Sequence, residues 1–216
     1  MKKGLTELVF ILDRSGSMAG LESDTIGGYN AVLRRHKEEE GEALVSTVLF
    51  DDRMEVLHDR VPVKDVQPIT SKEYYVCGCT ALLDAVGAAI RHIADVHKIA
   101  GKENVPEKTI FVITTDGMEN ASRNYTYNKV RKMIERRKEK HGWEFLFLGA
   151  NIDAVAEAGR LGIGAERAVR FHNDSAGVAL NFRALANVTS GMRHMPAASV
   201  GSEWKEEIEK DFASRP

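Results

Sequence analysis

The sequence predicts an α/β fold: a doubly wound, mostly parallel six-stranded sheet with one antiparallel edge strand and helices on both faces. Three observations carry this. Apolar runs such as Leu8-Val9-Phe10-Ile11-Leu12 lack the polar alternation of a half-exposed strand, and a run apolar on both faces suits a strand covered from both sides. These runs take turns with segments of helical period, as parallel pairing through crossover helices requires. The chain of 216 residues is 43 % hydrophobic and 29 % charged, ample for one such core.

Each element has its own signal. The first strand, Leu8 to Leu12, stops at Asp13. A helix follows with Ile26, Tyr29, Leu33 and His36 on one stripe and charges from Arg34 to Glu40 at its end. Ala43 to Phe50 reads as the second strand. Met54 to His58 reads as a shorter third strand, joined to it by an Asp51-Asp52 hairpin turn that makes the antiparallel edge. Val61 to Lys72, with Pro62 and Pro68, reads as irregular. Leu82, Val86, Ala89, Ile93 and Val96 recur at helical spacing from about Ala81 to His97.

Thr109 to Thr114 is the fourth strand, again followed closely by an aspartate, Asp116. A basic helix from about Thr126 to Lys140 stops at Gly142, as glycine C-caps do. Trp143 to Leu148 is the fifth strand, and Ile152 to Leu161 a short helix. Ala168 to Phe171 is the last strand, and Asp174 to about Ser190 the last helix. The main domain spans 1–195. In the tail, 196–216, Trp204, Ile208 and Phe212 at four-residue spacing predict a short amphipathic helix that packs back on the domain or docks a partner.

Composition bounds the function. Thirty Lys and Arg against 32 Asp and Glu leave a net charge of −2, which excludes a strong general polyanion binder but not a local basic patch. Two cysteines, Cys77 and Cys79, make no disulfide framework. No stretch has the length of a transmembrane helix, and Met1 to Phe10 lacks the apolar run of a signal peptide. A reduced, cytoplasmic setting without a membrane partner is the expectation. Asn-x-Ser/Thr triplets at Asn120, Asn124, Asn173 and Asn187 then carry no meaning as glycosylation sites.

In a doubly wound sheet, ligands bind beyond the carboxyl ends of the strands. There the chain places Asp13-Arg14-Ser15-Gly16-Ser17, one carboxylate and two hydroxyls on a short loop. Hard oxygen donors without His or Cys favour Mg²⁺, Mn²⁺ or Ca²⁺ over zinc. One loop supplies too few ligands. Thr80, at an N-cap-like position before the Leu82 helix, and Asp116, in Thr114-Thr115-Asp116-Gly117, lie at the same edge. Asp-x-Ser-x-Ser alone is equally a self-satisfied turn.

Asp13-x-Ser15-x-Ser17, then Thr80, then Asp116 in a Thr-Asp-Gly turn, on these elements in this order, resembles a von Willebrand factor A domain. The five positions are similar to that family's metal-ion-dependent adhesion site, and the order of elements extends the likeness over nearly the whole chain. The resemblance implies that Ser15, Ser17 and Thr80 act as hydroxyl ligands. Asp13 and Asp116 mostly hold bound waters and orient the hydroxyls. A coordination position stays open for an acidic side chain of a partner protein. It implies a binding module, an adaptor or assembly protein, and not an enzyme.

Two other readings attach to the same residues. Mg²⁺-dependent phosphoester hydrolysis at these strand ends, of the haloacid-dehalogenase type, needs a second carboxylate two residues after Asp13; Ser15 stands there. Nucleic-acid contact would use the helix 129–140, whose seven cations and two glutamates give +5. Val130, Met133 and Ile134 give that helix a core side and no interleaved aromatics mark base stacking, so a solvated face is favoured and nucleic acid is not the expected partner. Cys77-x-Cys79 lacks a second pair to complete a zinc site, and Gly159, Gly162 and Gly164 lack the Gly-Lys-Ser/Thr of a phosphate loop. His36, His92 and His97 show no carboxylate partner in the sequence.

Overall fold

Every residue from Leu5 to Asp13 is buried, so this strand must lie at the centre of the fold. The structure, a computed structural model, describes residues 1–196 and 199–215. The elements run β1 (Lys2–Asp13), α1 (Glu22–Glu38), β2 (Glu42–Phe50), β3 (Met54–Pro62), α2 (Leu82–Ile99) and β4 (Pro106–Thr115). They continue with α3 (Tyr127–His141), β5 (Glu144–Ala150), α4 (Ala154–Arg160), β6 (Ala168–Phe171), α5 (Ser175–His194) and α6 (Glu206–Ser214). The sheet order is β3-β2-β1-β4-β5-β6. Only the β2–β3 pair is antiparallel, as the hairpin reading requires.

Successive side chains of a strand point to opposite faces, and β1 divides the core accordingly. Leu8, Phe10 and Leu12 pack with Tyr29, Val32 and Leu33 of α1 and Val178, Phe182 and Leu185 of α5. Val9 and Ile11 face Leu82, Val86 and Ile90 of α2, Val130 and Ile134 of α3, and Ala154 of α4. Two apolar layers thus clamp one sheet, which explains the unalternating strand sequences.

Helix ends follow local chemistry. The Thr126 hydroxyl accepts from the Lys129 amide at the start of α3, and Gly142, at φ 63°, ends it in the left-handed conformation. The Asp174 side chain accepts from the Gly177 amide to cap α5. In α3, Val130 and Ile134 are buried, Arg131 pairs with Glu135, and Arg137 lies over Trp143.

Three expectations need correction. β3 continues through Val61 to Pro62, because an irregularity in its pairing with β2, around Thr47, keeps Val61 opposite Val45. Thr80 is not the cap of α2; Ala81 occupies that position. The free amides of the first turn of α2 are met instead by Glu119, which accepts from Leu83, and by the Ser122 hydroxyl, which accepts from Asp84. The histidines do find carboxylates across the fold: His36 meets Glu39, His92 meets Asp59, and His97 meets Glu7.

The tail helix packs back. Ile208 is buried in the same core as α5. Trp204 Nε1 donates to the Glu166 carbonyl, Lys205 Nζ donates to those of Ala165 and Ala168, and Phe212 stacks on His172 at 4.5 Å. Tail positions 197, 198 and 216 lie outside the described residues. No described helix is long and apolar enough to cross a membrane.

Candidate metal centre

Three loops meet beyond the carboxyl ends of β1 and β4, and backbone hydrogen bonds lock them together. The Cys77 amide donates to the Arg14 carbonyl at 2.9 Å, and the Gly16 amide to the Gly78 carbonyl at 3.1 Å. The irregular segment between β3 and α2 is thereby laid across the loop after β1, bringing Thr80 beside Ser15. On the other side the Thr80 amide donates to Asn120 Oδ1 at 2.9 Å.

All five residues singled out from the sequence converge. Thr80 Oγ1 donates to Ser15 Oγ at 3.1 Å. Ser15 Oγ and Ser17 Oγ are 3.2 Å apart, and Ser17 Oγ donates to Asp116 Oδ1 at 2.6 Å. Asp13 Oδ1 accepts from the Ser15 amide at 2.7 Å, and its Oδ2 from Thr115 Oγ1 at 2.5 Å. The main chain of Asp13 is fixed as well, since the buried Tyr74 hydroxyl donates to its carbonyl. Gly117 is the close-approach position: a Cβ there would stand 3.0 Å from Thr80 Oγ1 and 3.3 Å from Ser17 Oγ. A side chain would press into the hydroxyl cluster.

The electrostatics are unbalanced. Asp13 and Asp116 are almost wholly buried, yet among the described residues no Lys, Arg or His pairs with either. Arg14, the neighbour in sequence, turns away: its Nε donates to Asp51 at 2.9 Å and its Nη1 to Glu55 at 2.8 Å. Burial pushes the Asp13 carboxyl up to about 6, against the hydrogen bonds from Ser15 and Thr115, and the charge of Asp116 adds to the rise. Burial raises Asp116 as well, against its bonds from Ser17 and Asn173. Two desolvated carboxylates without a counter-charge are costly.

The donor set therefore fits a hard divalent cation: three hydroxyl oxygens and two carboxylates, with Ser17 exposed at the mouth. Among the described residues, no three His, Cys, Asp or Glu gather into a group that could hold a metal ion, so the hydroxyls are needed to complete this donor set. The two thiols are free and exposed, and Cys77 Sγ donates to Asp51 rather than joining the cluster.

Sequence reasoning missed the residues that support the five. Thr115 was visible only as part of a polar turn, and Tyr74 and Asn120 gave no signal; nor did Arg14 show which way it would point. Asn173, conspicuous only as the start of a glycosylation triplet, reaches from the β6–α5 turn to Asp116 Oδ2 at 3.1 Å.

The sheet order, the antiparallel edge and the helices on both faces define the fold of a von Willebrand factor A domain. Among solved structures the chain is similar to the von Willebrand factor type A protein from Catenulispora acidiphila, with 16 % identity and a TM-score of 0.56 over 86 % of this chain and 42 % of that one. It is similar to proximal thread matrix protein 1 from the mussel byssus with a zinc-occupied MIDAS motif, at 16 % identity and a TM-score of 0.54 over 86 % of this chain and 46 % of that one. It is also similar to the manganese-loaded Plasmodium vivax TRAP protein, at 13 % identity and a TM-score of 0.55, covering 83 % of this chain and 72 % of that one. The chain thus spans less than half the length of the first two. No family model and no curated protein matches the sequence.

Proposed function

We propose that the chain is a divalent-metal-dependent protein-binding module, an adaptor or assembly component. Asp13, Ser15, Ser17, Thr80 and Asp116 hold Mg²⁺, with Mn²⁺ and Ca²⁺ as substitutes, and the cation accepts a carboxylate from a partner protein. The observation that carries this reading is the pair of buried carboxylates among hydroxyls, with no cationic side chain to balance them. A divalent cation supplies the missing charge. With mostly neutral oxygens around it the cation stays electron-poor, and an incoming carboxylate gains strong attraction in a partly desolvated site. The zinc-occupied MIDAS motif of one similar structure and the manganese of another support the choice of a divalent ion.

The module acts by binding and not by turnover. Ser15 stands where phosphoryl-transfer chemistry of the Asp-x-Asp kind needs its acid/base carboxylate. Two exposed reduced thiols beside the site suit a cytoplasmic setting. The test is calorimetric titration of Mg²⁺ and Mn²⁺ into the wild-type chain and Asp13→Ala, followed by protein capture with and without chelator. Binding in the first, none in the second and chelator-sensitive capture are the expected results. Equal metal binding by Asp13→Ala, or capture indifferent to chelator, overturns the reading.

A further inference from the structure

Asp116 is held from two sides. Its Oδ1 accepts from Ser17 at 2.6 Å and its Oδ2 from Asn173 Nδ2 at 3.1 Å. Only the amide nitrogen of Asn173 can face a carboxylate oxygen, so the orientation of that amide is fixed. Its other end, Oδ1, is buried without a hydrogen-bond partner. An orphaned amide oxygen costs about 1–3 kcal/mol, so the bond to Asp116 is kept at a local expense. Asn173 is placed rigidly for this: Asp174 next to it caps α5 through the Gly177 amide and binds Arg215 at 2.6 Å, and His172 before it stacks on Phe212.

The consequence concerns which cation the site accepts. Ca²⁺ takes six to eight oxygens and readily uses both oxygens of one carboxylate, whereas Mg²⁺ demands near-octahedral geometry from single oxygens and keeps several waters. With Oδ2 hydrogen-bonded to Asn173, turning both oxygens of Asp116 onto one ion would break that bond. We infer that Asn173 is a specificity-determining positioning residue. By pinning the outer oxygen of Asp116 it disfavours Ca²⁺ and keeps the centre selective for Mg²⁺ and Mn²⁺. This rests on the cation-binding reading above.

Asn173→Leu removes the donor at similar size, and Asn173→Asp keeps the shape while replacing the donor with an acceptor. Mg²⁺, Mn²⁺ and Ca²⁺ are titrated separately into wild type and both variants by calorimetry, with circular dichroism to check the fold. The wild type is expected to bind Mg²⁺ and Mn²⁺ more tightly than Ca²⁺. In both variants the ratio of Ca²⁺ to Mg²⁺ affinity rises by about tenfold or more, the size typical for loss of a partner of a metal ligand. A purely structural role would weaken all three ions alike; an unchanged ratio in a folded variant overturns the inference and leaves the binding reading standing. If Asn173→Leu fails to fold, Asn173→Ala takes its place, because Asn173→Asp also adds a carboxylate beside the cation and a rise in that variant alone does not support the inference. A wild type that binds none of the three ions overturns the binding reading itself, and this inference with it.

Discussion

Strand β1 carries two buried carboxylates, one midway along it and one at its carboxyl end, and the two are treated in opposite ways. Glu7, midway along the strand, is wholly buried, and two partners reach it: Arg60 Nε from β3 and His97 Nε2 from α2, each at 2.5 Å. Asp13, at the carboxyl end, is as deeply buried but meets only a hydroxyl and an amide. Glu7 has its counter-charge within the chain and ties the edge strand to a helix. Asp13 and Asp116 have none among the described residues, and their partners are hydroxyls and amides that neutralise nothing. The first carboxylate is finished by folding; in the function proposed above, the second is completed by a cation.

The largest expected effect tests the first carboxylate. Arg60→Ala combined with His97→Ala leaves Glu7 buried without either partner and should lower unfolding free energy by about 3–5 kcal/mol, the usual cost of breaking a buried pair. Urea denaturation checks this; a loss under about 1 kcal/mol would mean water reaches Glu7, and the contrast would collapse. The mirror change, Asp13→Asn, removes a charge that burial already opposes. It should leave the stability of the metal-free protein unchanged or slightly higher while abolishing Mg²⁺ binding, a trade typical of functional sites.

The second effect is stabilisation by the cation. At a metal concentration of about 100 Kd the wild type should gain about 2.7 kcal/mol, as for any ligand that binds only the native state. Thr80→Ala and Asp13→Asn should gain little, read as melting-temperature shifts with and without Mg²⁺. Equal shifts in all three proteins would place the cation elsewhere.

The third is its pH dependence. The Asp13 carboxyl in the metal-free fold sits at about 6, above its ordinary 3.8. The folded protein therefore holds this proton more tightly than the unfolded chain does. That contribution to stability is complete below about pH 4 and is lost as pH rises through about 6. Cation binding requires the carboxylate, so the Mg²⁺-induced shift in melting temperature should be large near pH 7.5 and shrink towards pH 5. A shift of constant size across that range would exclude Asp13 from the centre. The smallest effect belongs to neither carboxylate: Arg136→Gln, on the solvated face of α3, should change stability by less than about 0.5 kcal/mol and leave Mg²⁺ binding unaltered.

The comparison also explains which parts of the molecule were legible in advance. The six strands and the main helices announce themselves through apolar runs and helical periods within one element. The five site residues were legible because their residue types fall on loops that the topology must gather at one sheet edge. Glu7 gave no such signal. It reads as a polar residue opening a strand, and its partners lie 53 and 90 positions away. His97 looked equally isolated on its helix for the same reason.

The sequence by itself determined the layering of helices on a parallel sheet, the antiparallel edge and the convergence of Asp13, Ser15, Ser17, Thr80 and Asp116, because backbone geometry converts local patterns of residue type into elements and places their ends. Only the tertiary structure decided which charges cancel. It turned Arg14 away to Asp51 and Glu55, brought Thr115 and Asn173 to the two carboxylates, and folded the tail helix back along β6. Those outcomes depend on side-chain directions between segments far apart in the chain, and a pair of charges is worth something only at the few ångströms that packing sets.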